Sequence, residues 1–127
     1  MLRLGAHESI GGGLYRALER GEAAGCQSLQ IWTKNSRQWN ALPLDPSEIE
    51  QFQAARSQRD IHPIVAHASY LINIASAKPA LHARSVKALI DEAKRCEQLG
   101  LPYLVLHPGA HTGDGMDAGL QRAQAAL

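Results

Sequence analysis

Short apolar runs alternate along this chain with longer stretches of helical periodicity, and the pattern recurs four times. The runs fall near residues 2–6, 28–32, 63–67 and 103–107, and the helical stretches near 12–24, 46–58, 80–99 and 117–127. Strands separated by helices of this length specify βα units arranged around a parallel sheet, an α/β fold.

Local signals punctuate the helices. The first presents Leu14, Ala17, Leu18 and Gly21 on one face, leaves Arg16, Glu19, Arg20 and Glu22 toward water, and meets a stop at Gly25. Asp45, Pro46 and Glu48 read as an N-cap, a first-turn proline and the acid of a capping box. In the third helix Val86, Leu89, Ile90, Ala93 and Cys96 form the apolar stripe, Asp91 and Arg95 stand at ion-pair spacing, and Gly100 with Pro102 ends the run. Glu22, Gly25, Leu29 and Ile31 are echoed at a constant offset by Glu97, Gly100, Leu104 and Leu106. The echo supports a helix–Gly–strand unit used twice, and on that offset Trp32 corresponds to His107.

Size limits what the units can build. The chain has 127 residues, whereas a complete (β/α)8 barrel needs about 250. The last helical stretch reaches Leu127 without a capping or breaking residue. The expectation is a single domain over residues 1–127, half of a TIM barrel from a truncated product, with a sheet edge that would ordinarily be paired. A net charge of +1 lacks the basic excess of a general nucleic-acid binder, so any DNA contact has to be local. Cys26 and Cys96 stand far apart without a CxxC spacing and read as buried thiols. No run approaches the roughly 18 apolar residues of a membrane span, and no signal-peptide core opens the chain. A reducing cytoplasm is the expected compartment.

Three of the apolar runs end in histidine, at His7, His67 and His107. In α/β barrels the strand C-termini and the loops after them form the active face, so these imidazoles are placed for metal or acid/base chemistry. His67 and His107 are the sharpest candidates for metal ligands, since neutral imidazole binds zinc readily. The competing reading for a lone strand-end histidine is a buried ring bonded to backbone. His7 and His111 suit either donors that orient a ligand or polar loop positions. His62 and His82 fall away from the active face.

Two loops add a second kind of chemistry. Thr33 to Trp39 combines Lys34, Asn35, Arg37, Gln38 and an indole, a set able to hold phosphate oxygens and enter a nucleic-acid groove. Tyr70 and Leu71 follow His67 closely, where a lid or a base-stack wedge would sit. Taken alone, each loop is read equally well as a packed or solvated surface. The Gly11-Gly12-Gly13 triplet offers free amides to an anion or merely permits a tight turn.

Gly5-Ala6-His7 with Gly12-Gly13-Leu14, Thr33-Lys34-Asn35 with Arg37-Gln38-Trp39, His67 through Asn73, and His107-Pro108-Gly109 with His111 together resemble the endonuclease IV family of apurinic/apyrimidinic endonucleases. The motifs occur in the family's order and extend over essentially the whole chain. The resemblance implies a TIM barrel carrying three zinc ions and cutting double-stranded DNA on the 5′ side of an abasic sugar. By position it implies that His67 and His107 bind one ion, that Lys34, Asn35, Arg37, Gln38 and Trp39 contact the minor groove, and that Tyr70 and Leu71 enter the stack at the lesion. His7 and His111 match positions near the site.

Clustered Zn2+ suits such a reaction because it acidifies water and stabilises charge on phosphoryl oxygens, so no side-chain nucleophile is required. The family's remaining ligands come from the half of the barrel that this chain lacks. The expectation is therefore a repair nuclease as a complete barrel and little or no activity from these residues alone. Two alternatives stand beside it: a metal-dependent sugar isomerase or epimerase on a related barrel, and a noncatalytic half-barrel that dimerises through its open sheet edge.

Overall fold

The computed structural model describes residues 2–127. Four strands, β1 (Gly5–His7), β2 (Ser28–Ile31), β3 (Ile64–His67) and β4 (Leu104–Val105), alternate with four helices, α1 (Leu14–Ala23), α2 (Pro46–Ser57), α3 (Pro79–Leu99) and α4 (Met116–Ala126). The strands form one parallel sheet in the order β1-β2-β3-β4. Ala6 lies opposite Leu29, Gln30 opposite Val65, and His67 opposite Val105. The expected half of a barrel is therefore observed: four βα units in sequence, with β1 and β4 at the edges.

The strand positions hold while their limits shift. The first strand begins at Gly5 and includes His7, because pairing with β2 runs from Gly5 to His7. Leu2 and Leu4, expected inside it, are exposed at this edge. The last strand is two residues long. The helix signals act as read: Asp45 Oδ1 accepts from Ser47 N at 2.8 Å, Glu48 Oε2 accepts from Asp45 N at 3.3 Å, and Pro46 opens α2. Gly25 and Gly100 both adopt the left-handed conformation that stops a helix. The glycine triplet makes a turn, in which Gly13 N donates to Ile10 O and Gly11 N to Ser9 Oγ. Arg20, expected toward water, fastens that turn by donating to Ser9 O and Gly11 O.

The core has two parts. Leu14, Ala17 and Leu18 of α1, Phe52 of α2, and Leu29, Ile31 and Ile64 of the sheet form the first cluster. Full burial of each large apolar side chain here contributes roughly 1.5–3 kcal/mol. A smaller cluster joins Ala68, Ile72, Ile74 and Ala75 of the loop after β3 to Ala88 of α3 and Ala123 of α4.

Helix α3 departs most from expectation. Its buried residues are Ser85, Ala88, Glu92, Arg95, Cys96 and Leu99. Ile90, placed in the apolar stripe, is 50% exposed, and Ala93 is exposed as well. Arg95 does not pair with Asp91: its guanidinium turns inward and donates to Thr33 O and Leu42 O. The buried face is partly polar because each of those groups finds a partner. Leu89, Ile90 and Ala93 of that stripe instead border a groove with Leu104, Leu106, Ala126 and Leu127 beside the edge of β4.

Candidate functional site

The C-terminal ends of the strands carry a row of rings. His7 and Trp32 have centroids 4.9 Å apart, Trp32 and His67 4.9 Å, and His67 and His107 5.0 Å. The row follows the strand order, so each ring comes from the end of a successive strand or from the residues just after it. Trp32 occupies the place that histidine takes on the other three strands, as the sequence echo anticipated. The register places His7 opposite Gln30 and His67 opposite Val105, so Trp32 and His107 each stand two residues beyond the partner of the preceding histidine, and the row steps along the rim.

Hydrogen bonding fixes which imidazole nitrogens are available. His67 Nδ1 lies 2.8 Å from Ala68 O. A carbonyl only accepts, so Nδ1 carries the proton and Nε2 keeps its lone pair for a ligand. His107 is exposed beside it. His7 Nδ1 lies 2.8 Å from the side-chain Nε2 of Gln30, whose amide donates to it. Burial and the neighbouring His67 hold the His7 pKa below its ordinary value, against a smaller opposite effect from Glu8. His111 Nδ1 accepts from Gly113 N and Gly115 N at 3.0 and 3.1 Å, so this nitrogen organises its own loop.

The loop after β2 presents Asn35, Arg37 and Gln38 to solvent. Asn35 Oδ1 accepts from Arg37 N at 2.9 Å. Lys34 is corrected as a surface cation: it is 5% exposed and its Nζ donates to Trp39 O at 2.8 Å. Among the described residues, the loop therefore presents Arg37 to solvent and keeps Lys34 inside, where the sequence offered both cations. Trp39 is half-buried, with the Arg84 guanidinium 4.5 Å above its ring. In the loop after β3, Tyr70 is 60% exposed and Leu71 is half-buried.

Several groups that organise the site were not singled out from sequence. Ser69 Oγ donates to Ser36 O at 2.6 Å and joins the two loops directly. Asn73 Oδ1 accepts from Ala75 N and Ala110 N, which ties the loop after β3 to the segment following His107. Thr33, Ser69, Glu92 and Arg95 form a buried polar group behind both loops. Sequence carried no signal for this group, because Glu92 and Arg95 share α3 with Arg84, Lys87, Asp91, Lys94 and Glu97 and nothing in their spacing marks them as buried.

His67 and His107 suit a metal such as zinc, as two imidazoles at one rim with at least one nitrogen free. Among the described residues no group of three or more His, Cys, Asp or Glu side chains is gathered to complete such a centre. No helix among the described residues is long and apolar enough to cross a membrane.

Four parallel βα units with a histidine row at the strand ends define a TIM-barrel half. A family model for the xylose isomerase-like TIM barrel matches residues 18–127, and the chain belongs to that family. Within it, the chain is similar along its whole length to proteins of the endonuclease IV group. The "Probable endonuclease 4" of Chloroflexus aurantiacus is 50% identical over 127 residues, all of this chain and 45% of the relative. The crystal structure of endonuclease IV from Thermus thermophilus superposes with a TM-score of 0.85 at 37% identity, covering 99% of this chain and 46% of that one. A 3-keto-D-glucoside 4-epimerase from E. coli has a TM-score of 0.65 at 12% identity, covering 98% of this chain and 49% of that one, a likeness of fold alone. The chain spans about half the length of these proteins.

Proposed function

We propose that this chain is half of a zinc-dependent endonuclease that cleaves double-stranded DNA 5′ to abasic sites in base excision repair in the cytoplasm. The observation that carries the reading is the His67–His107 pair at the strand ends, with His67 Nε2 free, flanked by loops that expose Arg37, Gln38 and Tyr70. The similarity to endonuclease IV proteins supports it over the full length of the chain.

His67 and His107 would hold one ion, and zinc bound there supplies Lewis acidity toward a phosphodiester. Arg37 and Gln38 bind the backbone and groove edge, with Asn35 shaping their loop by its bond to Arg37 N. Lys34 and Trp39 act from beneath, as the support of that loop. Tyr70 and Leu71 fill the stack where a base is missing, and an abasic nucleotide has less stacking to lose when displaced. His7 and His111 orient the site from its margins. Two exposed loops of this kind have no evident use on a small sugar, which favours DNA over the epimerase reading.

Two imidazoles fall short of the roughly three protein ligands of a catalytic zinc site, so these residues alone carry little activity. A second reading, a noncatalytic half-barrel that pairs with a second copy, is favoured by the apolar groove of Leu89, Ile90, Leu104 and Leu106 beside the edge of β4.

The test uses a labelled duplex with one abasic site, with zinc or with a chelator. It compares this chain with a barrel-length form, the chain joined to the part of the C. aurantiacus relative that it does not cover. Metal-dependent cleavage by the barrel-length form is expected. Absence of cleavage by both overturns the nuclease reading, and a concentration-dependent dimer with no cleavage supports the second. Turnover of free ketoses in place of DNA would establish the epimerase.

A further inference from the structure

Both loops at the rim are held by one carboxylate. Glu92 of α3 is 1% exposed. Its Oε2 accepts from Thr33 Oγ1 at 3.0 Å, in the loop after β2, and its Oε1 accepts from Ser69 N at 3.0 Å, in the loop after β3. Lys34 Nζ stands 4.0 Å from Oε1 and donates to Trp39 O at the far end of the first loop. One turn along the helix, Arg95 donates to Thr33 O and Leu42 O. Among the described residues, no buried side-chain nitrogen or oxygen lacks a partner.

A buried carboxylate is costly unless it is paired and hydrogen-bonded, and a buried ion pair is often replaceable by apolar packing without loss of stability. The contribution open to such a group is geometric: it fixes one arrangement among several. Here each oxygen is committed to a different loop, so moving either loop breaks a bond to the same side chain.

We propose that Glu92 is a positioning residue that holds the loop bearing Arg37 and the loop bearing Tyr70 in one fixed relation, so that both engage a single duplex together. The DNA part of this proposal rests on the nuclease reading; the coupling of the loops does not.

Hydrogen exchange on this chain tests the coupling directly. Glu92→Ala is expected to speed exchange about tenfold in both 33–39 and 69–73, while the amides of β2 and β3 keep their protection. Glu92→Gln retains an acceptor for Ser69 N but loses the charge facing Lys34, so it is expected to loosen 33–39 alone. Unchanged exchange in either segment in Glu92→Ala, or in 33–39 in Glu92→Gln, overturns the proposal. Should Glu92→Ala fail to fold, Glu92→Gln decides.

In the barrel-length form, Glu92→Gln is expected to raise KM for the abasic duplex about tenfold with kcat within about twofold, since the loops bind substrate away from the reacting atoms. A purely structural defect would shrink the active fraction, lowering apparent kcat at unchanged KM, and that pattern overturns the proposal. If the unsubstituted barrel-length form cleaves nothing, the nuclease reading fails while the exchange measurement still decides the coupling.

Discussion

Asn73 Oδ1 fills the space in which a side chain on Gly109 would stand: a Cβ built on Gly109 overlaps that oxygen and crowds Asn73 Cα. Gly109 also has φ of 102°, a region that L side chains rarely adopt. The close approach lets Asn73 Oδ1 receive Ala110 N at 3.1 Å and Ala75 N at 3.2 Å, while Asn73 N donates to Ser85 Oγ. One asparagine thereby anchors the backbone just after His107 to the loop after β3 and to α3.

Gly109→Ala should destabilise the fold by about 1–3 kcal/mol through backbone strain and overlap with Asn73. Urea unfolding of Gly109→Ala, Asn73→Ala and the double variant checks the cause. The double should cost less than the two singles together, because removing the amide relieves the overlap. Additive losses would mean that the two residues act separately.

His67→Ala and His107→Ala should each lower the zinc content of the barrel-length form and reduce cleavage of an abasic duplex by more than about 100-fold, since loss of a hydrogen-bond partner behind a ligand alone costs about 10–100-fold. Metal analysis beside the cleavage rate makes the test specific. Retained zinc with lost cleavage would assign these rings a role other than ligation. His111→Ala should spare zinc content, because its Nδ1 is engaged by Gly113 N and Gly115 N.

Sequence revealed the strand ends because the physics there is local. Alternating apolar runs and helices set the parallel order, and a histidine that closes a strand lands at the rim whatever surrounds it. The inward face of α3 was hidden for the opposite reason. Val86, Leu89, Ile90 and Ala93 have the periodicity of a buried stripe, yet Ile90 is 50% exposed while Glu92 and Arg95 are buried. Those charges are tolerated only through partners far along the chain, Thr33, Ser69 and Leu42, and such pairings leave no spacing to read. Lys34 was misplaced for a different reason: its partner Trp39 O is near in sequence but is a backbone atom, which no residue type reveals.

Phe52 is fully buried between α1, α2 and the sheet. Phe52→Ala should cost about 3–5 kcal/mol, a large share of the stability of a domain this size. Urea denaturation checks it. A loss below about 1 kcal/mol would show that this cluster is not a packed core.

Cys96 is 5% exposed, and burial, reinforced by the carboxylate of Glu92 and opposed by Arg95, pushes its thiol up to about 11. Cys26 is only half-buried. A thiol reagent at pH 8 should therefore titrate Cys26 readily and Cys96 only at the rate of unfolding. The same shift has a thermodynamic sign. An acid held above its unfolded pKa keeps its proton in the folded chain while the unfolded chain releases one, so the folded state binds more protons between about 8.5 and 11 and stability falls as pH rises through that window. Cys96→Ala removes the thiol and should flatten this alkaline limb while lowering stability at neutral pH through the cavity left behind. Denaturation curves from pH 7 to 10.5 separate the two effects. An alkaline slope unchanged by the substitution would place the titrating group elsewhere.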